Sequence, residues 1–459
     1  MPLIKSISGI RGTIGGVVGD ALTPPDLLKF TAAYAHWVIS SAQKSRCKVV
    51  VGRDARLSGI MVSKLVNATL QSNGVDVIDA GLATTPTVEM AVCWEGADGG
   101  IVLSASHNPR EWNALKLLNS SGEFLQTKDA ATLLSIAERE DFCYVPVDQL
   151  GQYIKKDYTQ QHIDAVIGHP LVDVEAIYRC GYKAVVDGVN SVGGIIIPKL
   201  LENLGVTCIP LFCEPTGDFA HNPEPLPQHL TELSKRVVLE KADLGFAVDP
   251  DVDRLSIVCE DGSFFGEEFT LVAIADYVLG IRKGDVVSNL ASSRALSDLA
   301  HQYGVTRYAS AVGEAHVVKE MKQRNAVVGG EGNGGVIIPD LHYGRDALIG
   351  IALFLTHLAK KKISCSQLKK HYPLYFMAKE RVELSTDFDQ PAVFARIKEH
   401  FKSQTISEAD GIKVDFESDK SWIIVRASNT EPILRIYAEA PTLEEVQALA
   451  QEVKRLIIS

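Results

Sequence analysis

The feature that most constrains this chain is a pattern met three times along it: a β-branched strand, an amphipathic helix, a second strand, then a third strand that runs into a polar loop. The first copy uses residues 48–51, the helix 57–72, then 75–79 and 101–103. The second uses 183–187, 193–204, 206–210 and 244–248, and the third 285–290, 295–303, 306–309 and 326–328. Short apolar strands alternating with helices predict the α/β pattern. Self-similarity of this kind predicts diverged copies of one domain, and 459 residues leave room for two to four domains.

The first strand of each copy opens into a polar loop: Gly52-Arg53-Asp54, Asp187-Gly188-Val189-Asn190 and Asn289-Leu290-Ala291-Ser292. The last strand does the same, at residues 104–109, 249–254 and 330–335. Ligands of open α/β sheets collect at the loops beyond strand ends, so equivalent loops in equivalent domains predict one shared cleft. A helix over 345–362 closes the third copy, and the polar stretch 361–371 reads as a linker. Beyond it, strands at 375–384, 412–416, 421–426 and 434–439, with helices near 391–401 and 442–458, predict a smaller α+β unit. The expected division is therefore 1–150, 151–255, 256–366 and 367–459, three related α/β domains with mixed sheets and one α+β domain.

Lys and Arg number 46 against 57 Asp and Glu, a net charge of −11. That balance argues against general binding to nucleic acid or to an anionic membrane surface, both of which call for a basic footprint. It leaves a small anionic substrate open, because a local arginine cluster overrides a mean field. Nothing in the sequence approaches the ~20 apolar residues of a membrane helix, and residues 1–19 have no signal-peptide core. The expected location is cytoplasmic. The eight cysteines form no C-x-x-C pair and read as buried free thiols.

Four loops carry residues with chemistry. In Ser104-Ala105-Ser106-His107-Asn108-Pro109, serines follow a buried strand. Ser, Asn and Pro also build ordinary turns; a nucleophile needs an activator, and His107 is adjacent while Lys116 could return to the cleft. Asp249-Pro250-Asp251-Val252-Asp253-Arg254 sets three carboxylates at spacing two, a hard oxygen cluster of the kind Mg²⁺ or Ca²⁺ prefers. An EF-hand would place a ligand at Glu260, but Arg254 stands where that loop needs glycine. A phosphatase-type Asp-x-Asp with a carboxylate nucleophile and a solvated acidic turn are the other readings.

Gly329-Gly330-Glu331-Gly332-Asn333-Gly334-Gly335 has five glycines in seven residues, so the backbone approaches something closely or adopts φ > 0. Glu331 and Asn333 could then bind sugar hydroxyls, the alternative being a flexible turn. Arg426, Ser428, Asn429 and Thr430, at the end of a strand, suit a phosphate dianion. Arg11 and Arg53 are candidate cleft cations, with surface ion pairing the plain alternative. His36, His162, His221, His301 and His342 show no metal-ligand spacing.

With these loops in this order, the chain resembles the α-D-phosphohexomutases along essentially its whole length. The resemblance implies four domains and an intramolecular phosphotransferase of the isomerase class. It implies a phosphoserine at Ser106, and Mg²⁺ bound by Asp249, Asp251, Asp253 and an oxygen of that phosphoserine. Arg254 would lie by the transferred group and Lys116 would resemble the family's acid/base. Glu331 would hold sugar hydroxyls, Arg426, Ser428, Asn429 and Thr430 the phosphate that is not transferred, and His316 falls in a segment shaping the sugar side. A hexose 1,6-bisphosphate would be primer and intermediate. Phosphoryl transfer asks for in-line positioning and charge neutralisation, and a lysine amid cations could have its pKa lowered.

The chain departs from the family where the sugar is chosen. Bacterial phosphoglucosamine mutases carry Glu-Gln-Ser-Gly-His in the sugar loop and the phosphomannomutase/phosphoglucomutase branch Glu-Met-Ser-Gly-His; here it is Glu331-Gly332-Asn333-Gly334-Gly335, similar to archaeal-type members. The loop Arg426-Ala427-Ser428-Asn429-Thr430 is closer to the phosphomannomutase/phosphoglucomutase branch. The expected substrate is glucosamine phosphate, with mannose or glucose phosphate the alternative and a metal-dependent sugar phosphatase using Asp249 a more distant one. The expected partner is this small molecule alone, in a monomer or homodimer.

Overall fold

The computed structural model describes residues 3–6, 9–44, 46–384, 388–427 and 433–458. The threefold pattern of the sequence becomes a threefold pattern of sheet order. In the second sheet the strands lie in the order Leu255–Cys259, Leu244–Val248, Lys183–Asp187, Thr207–Leu211. In the third the equivalent strands lie in the same order, Gly335–Ile337, Val328–Glu331, Val286–Asn289, Arg307–Ser310. The first sheet contains the same run, Trp112–Leu118, Gly99–Leu103, Lys48–Arg53, Asp76–Leu82, extended by Gly9–Thr13 and Ile4–Ser6 on one side and Tyr153–Lys155 on the other. In every copy the inner strands pair in parallel and one flanking strand turns back antiparallel. The parallel strands are near-continuous apolar runs, as Val49, Val50 and Val51 show, because helices cover both faces.

Two expected boundaries cut through sheets. Tyr153–Lys155 pairs in parallel with the strand at Asp76–Leu82, so the first sheet runs past residue 150. Leu255–Cys259 pairs with Leu244–Val248, so the second runs past residue 255. The linker expected at 361–371 is instead docked: Ser364 caps the helix Cys365–Lys369, and Cys365 and Leu368 are buried in the core that spans the second and third sheets. Polar composition hid this because only Cys365 and Leu368 are buried, with Ile363 half-buried against the same core. The cysteines also differ from expectation, since Cys93, Cys143 and Cys180 are exposed, although all eight are free.

The last unit is an antiparallel sheet, Phe376–Glu383, Ile433–Ala440, Ser421–Ala427, Ile412–Phe416, Thr405–Ser407, covered by helices Gln390–His400 and Leu443–Ile458. It rests on the third unit through Trp422 and Ile424 packed against Leu290. Glu439 there accepts from both the Arg294 backbone N–H and the Trp422 indole, each at 2.7 Å. Among the described residues no helix is long and apolar enough to cross a membrane.

Candidate active site

The last-strand loops of the three α/β units converge, and the first-strand loops brace them. Asp54 accepts from Ser104 Oγ at 2.7 Å and pairs with Arg56 at 3.0 Å. Arg56, 1% exposed, donates onward to the carbonyls of Ser106, Asn108, Pro109 and Trp112 and so fixes the serine loop from behind. Ser191 Oγ holds the Pro250 carbonyl at 2.6 Å, and Asn289 Nδ2 holds Glu331 Oε1 at 2.7 Å. A loop whose polar groups are satisfied this way keeps one shape.

Serine and carboxylates meet across two domains. Ser106 Oγ donates to Asp249 Oδ2 at 2.5 Å and stands 3.4 Å from His107 Nδ1. Ser106 (φ +49°) and Val252 (φ +64°) both lie in the left-handed region, costing about 1–3 kcal/mol each for non-glycine residues. Asp249 Oδ1 accepts from the backbone N–H groups of Asp253 and Arg254, both at 3.1 Å. Asp251 Oδ2 accepts from Thr85 Oγ1 and from Lys116 Nζ, and Asp253 Oδ2 from Arg345 Nη2 at 2.6 Å. The Thr85 backbone N–H also donates to the Asp251 carbonyl at 2.9 Å, so the first helical turn of one domain grips the acidic loop of the next.

The acidic cluster suits a hard divalent cation. Oxygens of Asp249, Asp251 and Asp253 lie within 4.8 Å of one another, and all three side chains are buried. Asp251 Oδ1 and Asp253 Oδ1 find no hydrogen-bond donor among the described residues, a costly state for buried carboxylates unless a cation takes them. Burial, then repulsion from Asp253 and Asp251, pushes Asp249 well above the usual carboxylate range. Asp253 goes the other way: burial opposes its charge, but Arg345, Lys116 and Arg254 outweigh that.

Lys116 corrects the sequence reading. It was expected among cations with a lowered pKa; burial does pull it down, but Asp251 and Asp253 prevail and raise it. It arrives there because Trp112–Leu118 folds back antiparallel on the strand that leads to Ser106. His107 is held well below the usual imidazole range, by burial first and then by Arg254 and Arg11, and is neutral at pH 7.

A cleft of about 260 Å³ opens over this cluster, lined by Ser106, His107, Lys116, Arg11 and Arg254 on one side and by His316, Glu331, Asn333 and Arg345 on the other. Arg11 comes from Gly9–Thr13, the strand beside the one bearing Lys116. Arg53 does not reach the cleft: its guanidinium turns back to the Asp54 carbonyl at 3.0 Å, and Arg56 three residues on takes the buried position. Arg426 does not line it either. Asp410 pairs with Arg426 at 3.2 Å and accepts from the Val312 N–H at 3.0 Å, tying the strand-end arginine to the cleft wall. Ser428, Asn429 and Thr430 lie outside the described residues.

The sequence reading missed Arg345, which no motif announces, and it left His162 and His342 unassigned. Both histidines contact Asp346 Oδ2, at 2.9 and 3.3 Å, and His342 also faces the buried Glu89 at 3.4 Å. Burial alone would lower the His342 pKa, but Asp346 and Glu89 outweigh it and raise it to about 10. His342 is thus in a structural ion pair, and His162 is a hydrogen-bond partner of the same Asp346, just outside the cleft.

A hydroxyl set on a carboxylate beside a cation-ready cluster, with arginines around it, is what a phosphoryl group needs as it passes between two oxygens. Fold and cleft together define a phosphotransferase, and known proteins narrow the class. Residues 4–143, 160–262 and 267–375 match the phosphoglucomutase/phosphomannomutase alpha/beta/alpha domains I, II and III, and 381–456 the C-terminal domain. A phosphoglucomutase/phosphomannomutase of Thermococcus kodakarensis is 36% identical over 95% of each chain. A Pyrococcus abyssi protein named "Probable phosphoglucosamine mutase" is 33% identical over 98% of this chain and 96% of its own. The crystal structure of a phosphoglucomutase/phosphomannomutase family protein from Burkholderia thailandensis superposes with a TM-score of 0.84 at 25% identity, covering 99% of this chain and 96% of that one. The chain belongs to the phosphoglucomutase/phosphomannomutase family and is a phosphohexomutase, an isomerase that moves a phosphoryl group within a sugar phosphate.

Proposed function

We propose that the protein interconverts hexose 6-phosphates and hexose 1-phosphates through a phosphoserine at Ser106 and a hexose 1,6-bisphosphate, with glucosamine phosphate its preferred substrate. The 2.5 Å contact of Ser106 Oγ with Asp249 carries the reading. In the first half-reaction a sugar hydroxyl oxygen bonds to phosphorus as the Ser106 Oγ–P bond breaks, and the hydroxyl proton passes through a base in the cleft to the released Ser106 Oγ. The bisphosphate then turns over, and its other phosphoryl returns to Ser106. Arg254 and Arg11 stabilise charge on the moving group. Lys116, held protonated by Asp251 and Asp253, gives a proton to the sugar oxygen when the phosphoryl leaves it, and neutral His107 beside Ser106 is the acceptor. Mg²⁺ held by Asp249, Asp251, Asp253 and an oxygen of the phosphoserine would neutralise the transferred phosphoryl. Glu331, Asn333 and His316 hold the sugar, while Arg426, Ser428, Asn429 and Thr430 hold the other phosphate.

Glucosamine is supported by the Glu331–Gly335 loop and by relatives such as the Pyrococcus abyssi protein. The 36%-identical Thermococcus relative favours a second reading, glucose or mannose phosphate. A coupled assay of purified enzyme on glucosamine, glucose and mannose 1-phosphates decides between them. The highest kcat/KM is expected with glucosamine 1-phosphate; a mannose or glucose preference would sink the first reading and leave the mutase chemistry standing.

The phosphate clamp has its own test. In this structure Arg426 is engaged by Asp410, so an incoming phosphate competes with one carboxylate for it. Arg426→Ala is expected to raise KM about 10- to 150-fold, the loss of a charge-assisted hydrogen bond worth roughly 1.5–3 kcal/mol. If Arg426 only ties down the Asp410 loop, KM stays near normal and melting alone shifts.

A further inference from the structure

We infer that Arg345 is the positioning residue of the sugar side, leaving Asp253 Oδ1 to a ligand and fixing the plane of the Glu331 carboxylate, and that its stem fills the volume a side chain at position 335 would need. It lies just ahead of the helix Ala347–Lys361, is 8% exposed, and lines the cleft. Each direction of its fork meets a different carboxylate: Nε reaches Glu314 at 2.9 Å, Nη1 reaches Glu331 at 2.7 Å and Nη2 reaches Asp253 at 2.6 Å. Those three come from the cleft-wall helix, the glycine-rich loop and the acidic loop, so one guanidinium joins two domains at the point where sugar and phosphoryl must be held in one frame. Taking Asp253 Oδ2 leaves Oδ1 as the oxygen without a donor. Taking Glu331 Oε2 while Asn289 Nδ2 and the Gly313 N–H take Oε1 fixes the carboxylate plane from both ends.

Gly335 makes room for this arrangement. A Cβ there would stand 2.2 Å from Arg345 Cδ and 3.0 Å from Cγ, while the backbone at 335 is not in the left-handed region. Glycine is needed at 335 for space, and the space belongs to Arg345. A side chain at 335 and Arg345 in its present place exclude each other.

The inference rests on the reading of Glu331 as the sugar ligand, so the experiment separates the two. Arg345→Lys keeps a positive charge but cannot span three carboxylates. Its kcat/KM for glucosamine and mannose 1-phosphates is expected to fall about 10- to 100-fold, with a melting temperature within a few degrees of the parent. Gly335→Ala is expected to cost activity in the parent and markedly less in an Arg345→Ala background, because the clash has gone. Arg345→Lys within about twofold of the parent, or an equal cost of Gly335→Ala in both backgrounds, overturns the inference. Glu331→Gln is the control: near-normal KM overturns the sugar-ligand reading and this inference with it, whereas a raised KM beside an unaffected Arg345→Lys overturns this inference alone.

Discussion

Ser106→Ala protein is expected to fold, bind sugar phosphate and turn over at roughly a thousandth of the parent rate or less, the scale of losing a covalent nucleophile. The second hydroxyl of the same loop cannot substitute. Ser104, the other hydroxyl of the loop, is fully buried, donates to Asp54 and accepts from the Ser106 N–H at 2.9 Å, so its oxygen is committed inward. Stability should change little, because Ser106 gives up one hydrogen bond worth about 1 kcal/mol against the roughly 5–15 kcal/mol that hold a domain. Intact mass and peptide mapping of active parent protein should find one phosphoryl group, at Ser106. Excess glucose 1,6-bisphosphate should revive dephosphorylated parent and leave Ser106→Ala inactive. Full activity from unphosphorylated parent without bisphosphate would refute the phosphoserine, and an active Ser106→Ala would move the nucleophile elsewhere.

What the sequence could and could not tell follows the physics of each element. Strands 183–187 and 244–248 and the helix 295–303 were readable to the residue because their apolar runs are bounded by Gly, Asp and polar turns. The opening antiparallel pair Ile4–Ser6 and Gly9–Thr13 was not, since strands of three and five residues carry almost no periodicity. The Asp249–Asp253 loop was legible because three carboxylates at that spacing have few structural uses, whereas the Ser106 loop, whose residue types also build ordinary turns, stood out only through the order of the four loops. Arg345 was not, because its meaning lies in three carboxylates from 253, 314 and 331 that only the fold assembles. Arg53 and Arg56 show the same limit in miniature: two arginines flank Asp54, and only packing decides which one is buried. The Lys116 environment was misjudged for a related reason. Family resemblance named the residue, but the sign of its shift depends on Asp251 and Asp253, which contact it directly and outweigh burial and Arg345.

The acidic cluster makes a two-sided prediction that a purely structural role cannot imitate. Burial and the charges of Asp253 and Asp251 raise the Asp249 pKa, so the fold favours its neutral form and pays for ionising it at pH 7. Asp249→Asn removes that charge while keeping an oxygen that can accept from the Asp253 and Arg254 N–H groups. Metal-free Asp249→Asn is therefore expected to melt at or above the temperature of metal-free parent. Asp251 and Asp253 are poorer choices for this test, since they compensate Lys116 and Arg345 and their loss would strand those cations. Adding Mg²⁺ reverses the ranking. A cation at a hundred times its dissociation constant stabilises the parent by about 2.7 kcal/mol, and a ligand set short of one carboxylate gains much less. Turnover should follow binding: EDTA-treated parent is expected to lose roughly a hundredfold or more and to recover with Mg²⁺, the several kcal/mol a Lewis acid supplies to a transferring phosphoryl, while Asp249→Asn recovers little. Calorimetric melts of both proteins with and without Mg²⁺, beside the coupled assay, read out every limb. A Mg²⁺-induced rise in melting temperature as large in Asp249→Asn as in the parent would mean that the ion binds elsewhere, and full activity of the EDTA-treated parent would leave the three carboxylates needing another role.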